Sequence, residues 1–176
     1  MQYLKEKTFS RVNSIAASKF LAIGGLATLI PFFIHIQWLT GPVINALLIL
    51  ALFVIGLRAA VFIALIPSVV ALSAGLLPAL LAPMVPFIML SNILFVLSID
   101  FLHDKFANKE LGYWASILIS AFLKFALLFF SVSVISKLLI KSELAVKVAQ
   151  ILSWPQFYTA VLGGIIAYVI LKFLKK

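Results

Sequence analysis

The stretch YWASILISAFLKFALLFFSVSVIS, residues 113–136, contains a single charged side chain, that of Lys124. A helix needs about 20 mostly apolar residues to cross the hydrocarbon core of a bilayer, and this stretch is long enough. Lipid offers the backbone no hydrogen-bond partner, so a segment at that depth has to pair its own N–H and C=O groups as a helix. We therefore predict a transmembrane helix here, and hence an integral membrane protein.

The rest of the chain is similarly apolar. Of its 176 residues, 65% are hydrophobic and 11% are charged, whereas soluble domains are about a quarter charged. Five more apolar windows lie at 15–34, 42–57, 59–77, 83–102 and 157–174. We predict an all-α integral membrane protein, a bundle of six transmembrane helices in a single domain that covers residues 1–176. Thr40-Gly41-Pro42 and Gly75 to Pro78 are expected to form turns between helices.

The positive charges are distributed unequally along this predicted topology. If the N-terminus is cytoplasmic, ten of the 14 Lys and Arg residues lie on the cytoplasmic side and one, Lys124, lies within the membrane. The other three, Lys137, Lys141 and Lys147, lie outside in a loop that we predict from Lys137 to Pro155. Cytoplasmic loops are enriched in Lys and Arg, so the distribution favours this orientation. An even number of helices then makes both termini cytoplasmic. Topology thus explains most of the net charge of +9, and nucleic-acid binding is not needed to explain it.

The sequence lacks the motifs of familiar enzyme chemistry. It has no cysteine, no HExxH, no GxSxG, no P-loop and no dinucleotide fingerprint. Its two histidines, His35 and His103, fall on opposite sides of the predicted membrane, which argues against a shared metal site. We expect no enzyme activity, no catalytic residues, no cofactor and no metal.

Lys124 and two asparagines are candidate binding residues within the helices. Burying an ammonium at mid-span costs at least about 2.5 kcal/mol, so Lys124 should face a cavity or a partner, unless it extends to the membrane surface. Asn92 lies in the fourth window and Asn45 in the second. Buried amides either bind ligands or link helices by hydrogen bonds, and both interpretations remain open for these two residues.

Two further groups of residues have spacing or placement of interest. His35, Gln37 and Trp38 lie where the first external loop is expected, a position that suits small-molecule recognition, although Trp38 could simply anchor the chain at the interface. Ser14, Ser18 and Ala22 are four residues apart in the first window. Small residues at this spacing let helices approach closely, either within the bundle or at a docking face for another membrane subunit.

The combination and order of these features resembles the substrate-binding S components of energy-coupling factor (ECF) transporters. The resemblance covers nearly the whole chain, although none of its segments is specific alone. It rests on the small-residue first helix, Gln37 to Pro42, Gly75-Leu76-Leu77-Pro78, Pro83-Met84-Val85-Pro86, Asn92, Lys124, and Trp154-Pro155-Gln156 followed by Leu162-Gly163-Gly164.

The resemblance implies a function. S components bind a vitamin or another small micronutrient outside the cell, and they pass it inward through a membrane T component that carries two ATPases. It also implies a multi-pass protein of the prokaryotic plasma membrane, surrounded by lipid and without a nucleic-acid partner. The implied docking residues are Ser14, Ser18 and Ala22, and the implied substrate-binding residues are His35, Gln37, Trp38, Asn92, Lys124, Trp154 and Gln156. The alternatives are a solitary small-molecule transporter or channel and, less favoured, a membrane-embedded lipid-modifying enzyme.

Overall fold

The computed structural model describes residues 14–34, 37–75, 79–139 and 152–174, and all elements in these ranges are helices. The all-α fold is therefore confirmed for this part of the chain. The elements are α1 (Ser14–Phe33), α2 (Gln37–Val54), α3 (Leu57–Ser73), a 3-10 helix (Ala79–Met84), α4 (Val85–His103), α5 (Lys109–Leu139) and α6 (Trp154–Leu174).

Within the described ranges, four segments are long and apolar enough to cross a membrane: Ser14–Phe33, Ala82–His103, Lys109–Ile135 and Trp154–Leu174. The chain is thus a multi-pass membrane protein. The helices α2 and α3 have 18 and 17 residues. At about 1.5 Å per residue they extend roughly 26 Å, a little less than a typical hydrocarbon core of about 30 Å. The count of six spans therefore stays a prediction.

The turn that we predicted at Thr40-Gly41-Pro42 is wrong, because these residues lie within α2, which begins at Gln37. The side chain of Thr40 donates a hydrogen bond to the carbonyl of Ile34 over 2.7 Å, which fastens the start of α2 to the end of α1. Pro42 is the sixth residue of α2, just past the first turn, so the hydrogen bond that its missing N–H removes is the one to the carbonyl of Trp38, close to the start of the helix. Gly41 serves packing, since a Cβ atom there would lie 2.8 Å from Cγ2 of Thr159.

Other helix ends also differ from the predicted windows. The helix α3 ends at Ser73, four residues early, and Gly75 follows with a φ of +72°, a conformation that favours glycine. The helix α5 is longer than predicted at both ends, so Lys137, which we placed in an external loop, belongs to a helix. Most of that predicted loop lies outside the described residues.

The central helix of the bundle is α2. Seven consecutive residues, from Ala46 to Leu52, are buried, so this helix has no lipid-facing side at mid-length. It packs against α1, α3 and α6. By contrast, among the described elements α1 packs mainly against α2 and α3, and its one buried residue is Ala27. Thus α1 is peripheral, and most of its surface faces outward.

The helix contacts define two ends of the bundle. The start of α2 lies beside the start of α6, because Gly41 contacts Thr159 and Asn45 contacts Gly163. The helix α5 runs in the opposite direction, and the hydroxyl of Tyr113, near its start, donates to the carbonyl of Gly164 over 2.7 Å. We call the end that holds the starts of α2 and α6 the Trp154 end.

The opposite end is the Asp104 end, and it carries charged side chains. Arg58, Lys105, Lys109 and Lys172 lie at helix ends there. The carboxylate of Asp104 lies 3.1 Å from Nδ1 of His103 and accepts a hydrogen bond from Nζ of Lys109 over 3.2 Å. These two partners hold the pKa of Asp104 below its usual value, the hydrogen bond with His103 contributing most.

The tight contact between α2 and α6 depends on Gly163. A Cβ atom there would lie 2.6 Å from Cβ of Asn45 and 2.9 Å from the backbone nitrogen of Ala46. We expect Gly163→Ala to lower the free energy of unfolding by about 1–3 kcal/mol, as overpacked sites do. Thermal unfolding in detergent measures the change.

The matched control is Gly25→Ala on α1, where a Cβ atom would have nothing within 4 Å. This variant gains helix propensity and should be at least as stable as the original chain. Equal stability of the two variants would contradict the close approach of α2 and α6.

Candidate functional site

Lys124 is buried inside the bundle, near the middle of α5, with 3% of its surface exposed. Its ammonium donates one hydrogen bond to Oδ1 of Asn45 and another to Oδ1 of Asn92, each over 2.7 Å. The two asparagines come from α2 and α4, so the lysine joins three helices. The side chain therefore does not extend to the membrane surface, which was the alternative that we left open.

The amide groups extend this network to two more helices. Nδ2 of Asn45 lies 3.5 Å from Oγ1 of Thr159 on α6, and Nδ2 of Asn92 lies 3.5 Å from the carbonyl of Ala64 on α3. Both distances are at the upper limit for a hydrogen bond, so these two contacts are weak. We call Lys124, Asn45, Asn92 and Thr159 the lysine site.

No carboxylate pairs with the ammonium in the part of the chain that the structure describes. The described acids, Asp100, Asp104 and Glu110, are all exposed. Besides the amide oxygens, the ammonium faces the ring of Phe95, whose centroid is 5.3 Å from Nζ. A buried charge usually has an ionic partner, because desolvation of an ion is costly. Here two amide dipoles and one aromatic ring solvate it.

The structure brings together two of the seven predicted substrate-binding residues, Lys124 and Asn92. Gln156 lies close to the site, because its carbonyl accepts a hydrogen bond from Thr159 over 3.2 Å. Trp154 is 58% exposed and stacks on Phe125, with ring centroids 4.9 Å apart. Its ring thus packs on the surface of the bundle.

The remaining predicted residues come from the loop that we predicted to be external, but Gln37 and Trp38 lie in α2. Trp38 is exposed near the start of α2. Gln37 begins that helix, but its side chain is outside the described part, and so is His35. A substrate-binding role for any of the seven residues stays a prediction.

The sequence alone did not identify Thr159 or Phe95. Asn45 was identified, but its role in linking helices or binding a ligand was left open. Thr159 lies four residues before Gly163, and this spacing places both on one face of α6, against α2. The sequence signal that could have revealed this contact is the same four-residue spacing on α2, where Gly41 and Asn45 face Thr159 and Gly163.

Ser14, Ser18 and Ala22 are all exposed on α1. The buried residue of this helix, Ala27, packs in the core instead. The three small residues therefore do not serve packing within the described bundle, which removes one of the two interpretations that we left open. Docking of another subunit stays a prediction.

A small cavity of about 40 Å³ lies near the Trp154 end, between Phe129, Val132, Ser133, Leu152 and Ser153. It has room for a water molecule or two but not for a metabolite. Within the described ranges, no group of three His, Asp or Glu side chains is placed to hold a metal ion.

Comparisons of the chain with protein-family models, with curated proteins and with solved structures find no match. The function is therefore inferred from the lysine site and from the surface of the bundle.

The lysine site predicts strong coupling between Lys124 and Asn92. Asn92→Leu leaves the buried ammonium with one acceptor fewer, and we expect a loss of about 1–3 kcal/mol of unfolding free energy. In a Lys124→Met background the same substitution should cost about 1–2 kcal/mol less, because no charge then needs the amide oxygen. Thermal unfolding of the four proteins in this double-mutant cycle measures the coupling.

Ser91→Ala is the control for this cycle, because Ser91 is a buried neighbour whose hydroxyl bonds only to the carbonyl of Ile88. It should show no coupling to Lys124→Met. A coupling energy near zero for Asn92 would mean that the hydrogen bond from Lys124 to Asn92 does not stabilise the bundle.

Proposed function

We propose that this chain is the substrate-capture subunit of an ECF-type importer in a prokaryotic plasma membrane. It binds a vitamin or another small micronutrient on the outside and passes it inward through a T component with its ATPases, and it is not itself an enzyme. The observation that carries the proposal is the exposed face of α1 that contains Ser14, Ser18 and Ala22.

A single exposed serine can be tolerated on a lipid-facing helix by bonding to its own backbone, but three small residues four apart form a continuous strip along α1. Elsewhere the exposed surface of the bundle carries large apolar side chains, such as Leu97, Phe101 and Phe130. Small residues four apart instead let a second helix approach the backbone closely. The hydroxyl of Ser18 already bonds to the carbonyl of Ser14 over 2.8 Å, so it can be covered without leaving an unpaired donor. This face therefore suits a helix of another membrane subunit.

The proposed orientation follows the distribution of charge. Arg58, Lys105, Lys109 and Lys172 are at the Asp104 end, which we assign to the cytoplasm. The Trp154 end then faces outward, where a substrate arrives. Both termini are cytoplasmic if all six helices cross the membrane. This arrangement supports capture from outside and delivery to ATPases inside.

A solitary transporter or channel is the main alternative, and uptake measurements distinguish it from the importer subunit. Cells that express the chain should lose uptake of its substrate when ATP is depleted while the membrane potential is maintained. Uptake that persists without ATP would favour the solitary transporter and contradict the proposed function.

The docking face gives a direct test. We expect Ser18→Leu combined with Ala22→Leu to reduce co-purification of an ATPase-bearing partner at least about tenfold, because loss of close helix packing removes about 1.4 kcal/mol or more. The chain is extracted from its native membrane in mild detergent, and bound ATPases are quantified by mass spectrometry.

Ser133→Leu is the matched control. Ser133 is likewise an exposed helix serine, and its hydroxyl bonds to the carbonyl of Phe129 four residues earlier, as that of Ser18 does to Ser14. It lies on α5, away from the docking face, and should leave co-purification unchanged. Absence of any ATPase partner with the original chain, or equal loss in both variants, would refute the docking face.

A further inference from the structure

The lysine site has more hydrogen-bond donors than it uses. The ammonium has three hydrogens, and two of them bond to Asn45 and Asn92. Each amide nitrogen has two hydrogens and makes one contact, at 3.5 Å, within the described part of the chain. Ser120, one turn before Lys124 on α5, has a buried hydroxyl without a hydrogen-bond partner among the described residues. The site therefore lacks acceptors.

The site also lacks negative charge. The exposed positions of the described acids keep their carboxylates away from the ammonium of Lys124. In a medium of low dielectric constant, an uncompensated cation attracts an anion much more strongly than it does in water. A ligand group with a negative charge and several acceptor atoms would supply both the missing charge and the missing hydrogen-bond acceptors.

We propose that the lysine site binds the anionic group of a small molecule, in the first place a carboxylate. Lys124 is the ionic partner, and the amides of Asn45 and Asn92 contribute N–H donors. An asparagine amide carries an accepting oxygen and two N–H donors, so it can keep Oδ1 on the ammonium while an unused hydrogen of Nδ2 donates to an anion. That this molecule is the transported substrate rests on the proposed function.

The two ends of the bundle differ in how they lead to the site. Toward the Trp154 end, polar groups continue from Asn45 to Thr159 and on to the carbonyl of Gln156. Toward the Asp104 end, the rings of Phe53, Tyr113, Trp114 and Tyr168 contact one another, with centroids 5.0–5.8 Å apart. The rings of Phe125, Trp154, Phe157 and Tyr158 also contact one another at the Trp154 end, so the polar groups are what distinguish this end. Because they continue only toward the Trp154 end among the described residues, we place the entry of the anion there, on the side where a substrate would be captured.

Thermal unfolding of the purified full chain in detergent tests this proposal, with intrinsic tryptophan fluorescence as the readout. The probes are hexanoate, benzoate and inorganic phosphate, and the uncharged controls are hexanamide and benzamide, all at matched ionic strength. We expect at least one carboxylate to raise Tm by about 2–4 °C or more, which is the shift that a ligand of modest affinity produces in a chain of this size. The amides should leave Tm unchanged. No shift with any carboxylate, or equal shifts with the amides, would overturn the proposal.

Two variants connect the shift to the site. Lys124→Met removes the charge, and Asn92→Asp places a carboxylate where Oδ1 now lies 2.7 Å from Nζ. The second variant keeps an acceptor for the ammonium and is expected to fold, but its own carboxylate competes with the ligand. Both variants should lower the affinity for the carboxylate about tenfold or more, so that a higher carboxylate concentration is needed for the same rise in Tm. Ser91→Ala should keep it, and a full shift in Asn92→Asp would place the anion elsewhere.

A lipid headgroup has the same chemistry as a free anion, so reconstitution separates the two sources. In discs of phosphatidylcholine alone, the soluble carboxylate should still raise Tm. Stabilisation only by discs that contain phosphatidylglycerol, with no response to carboxylates, would contradict a soluble ligand. No ATPase takes part in these measurements. If carboxylates raise Tm but no ATPase co-purifies, the anion site is retained and the importer function is rejected. If an ATPase co-purifies but carboxylates leave Tm unchanged, the importer function is retained and the anion site is rejected.

Discussion

The hydrogen bonds from the ammonium of Lys124 to Asn45 and Asn92 are the interaction on which the rest of the bundle depends. A charged group without partners at mid-membrane is costly, so α2, α4 and α5 have to meet at one depth and in one rotational setting. The same asparagines contact Thr159 on α6 and Ala64 on α3. Apolar side chains alone specify helix register weakly in lipid, and this polar network specifies it for five helices.

Close packing of α2 against α6 makes that network possible. Asn45 contacts Gly163 with its Cβ atom and Lys124 with its amide, so one residue serves both the helix interface and the buried charge. With a larger residue at position 163, α2 would have to move away from α6, and the amide of Asn45 would move with it. Glycine at this position therefore contributes to the geometry of the lysine site, although it has no polar side chain.

Sequence patterns predicted the local properties of this protein better than its long-range contacts. Hydropathy located the helices, and the cost of a mid-span charge identified Lys124, because both depend on short stretches of chain. The turn at Thr40-Gly41-Pro42 was wrong, because Gly41 accommodates Thr159, which lies more than 100 residues away in the sequence. The partners of Lys124 were uncertain for the same reason, since each comes from another helix.

The lysine site and the exposed face of α1 are separate parts of the bundle that meet at α3. The described side chains of α1 contribute nothing to the hydrogen bonds around Lys124, and among the described elements this helix packs mainly against α2 and α3. On α3, Ile63 lies against Gly24 of α1, while the carbonyl of the next residue, Ala64, accepts from Asn92. One turn of α3 therefore borders both α1 and the lysine site.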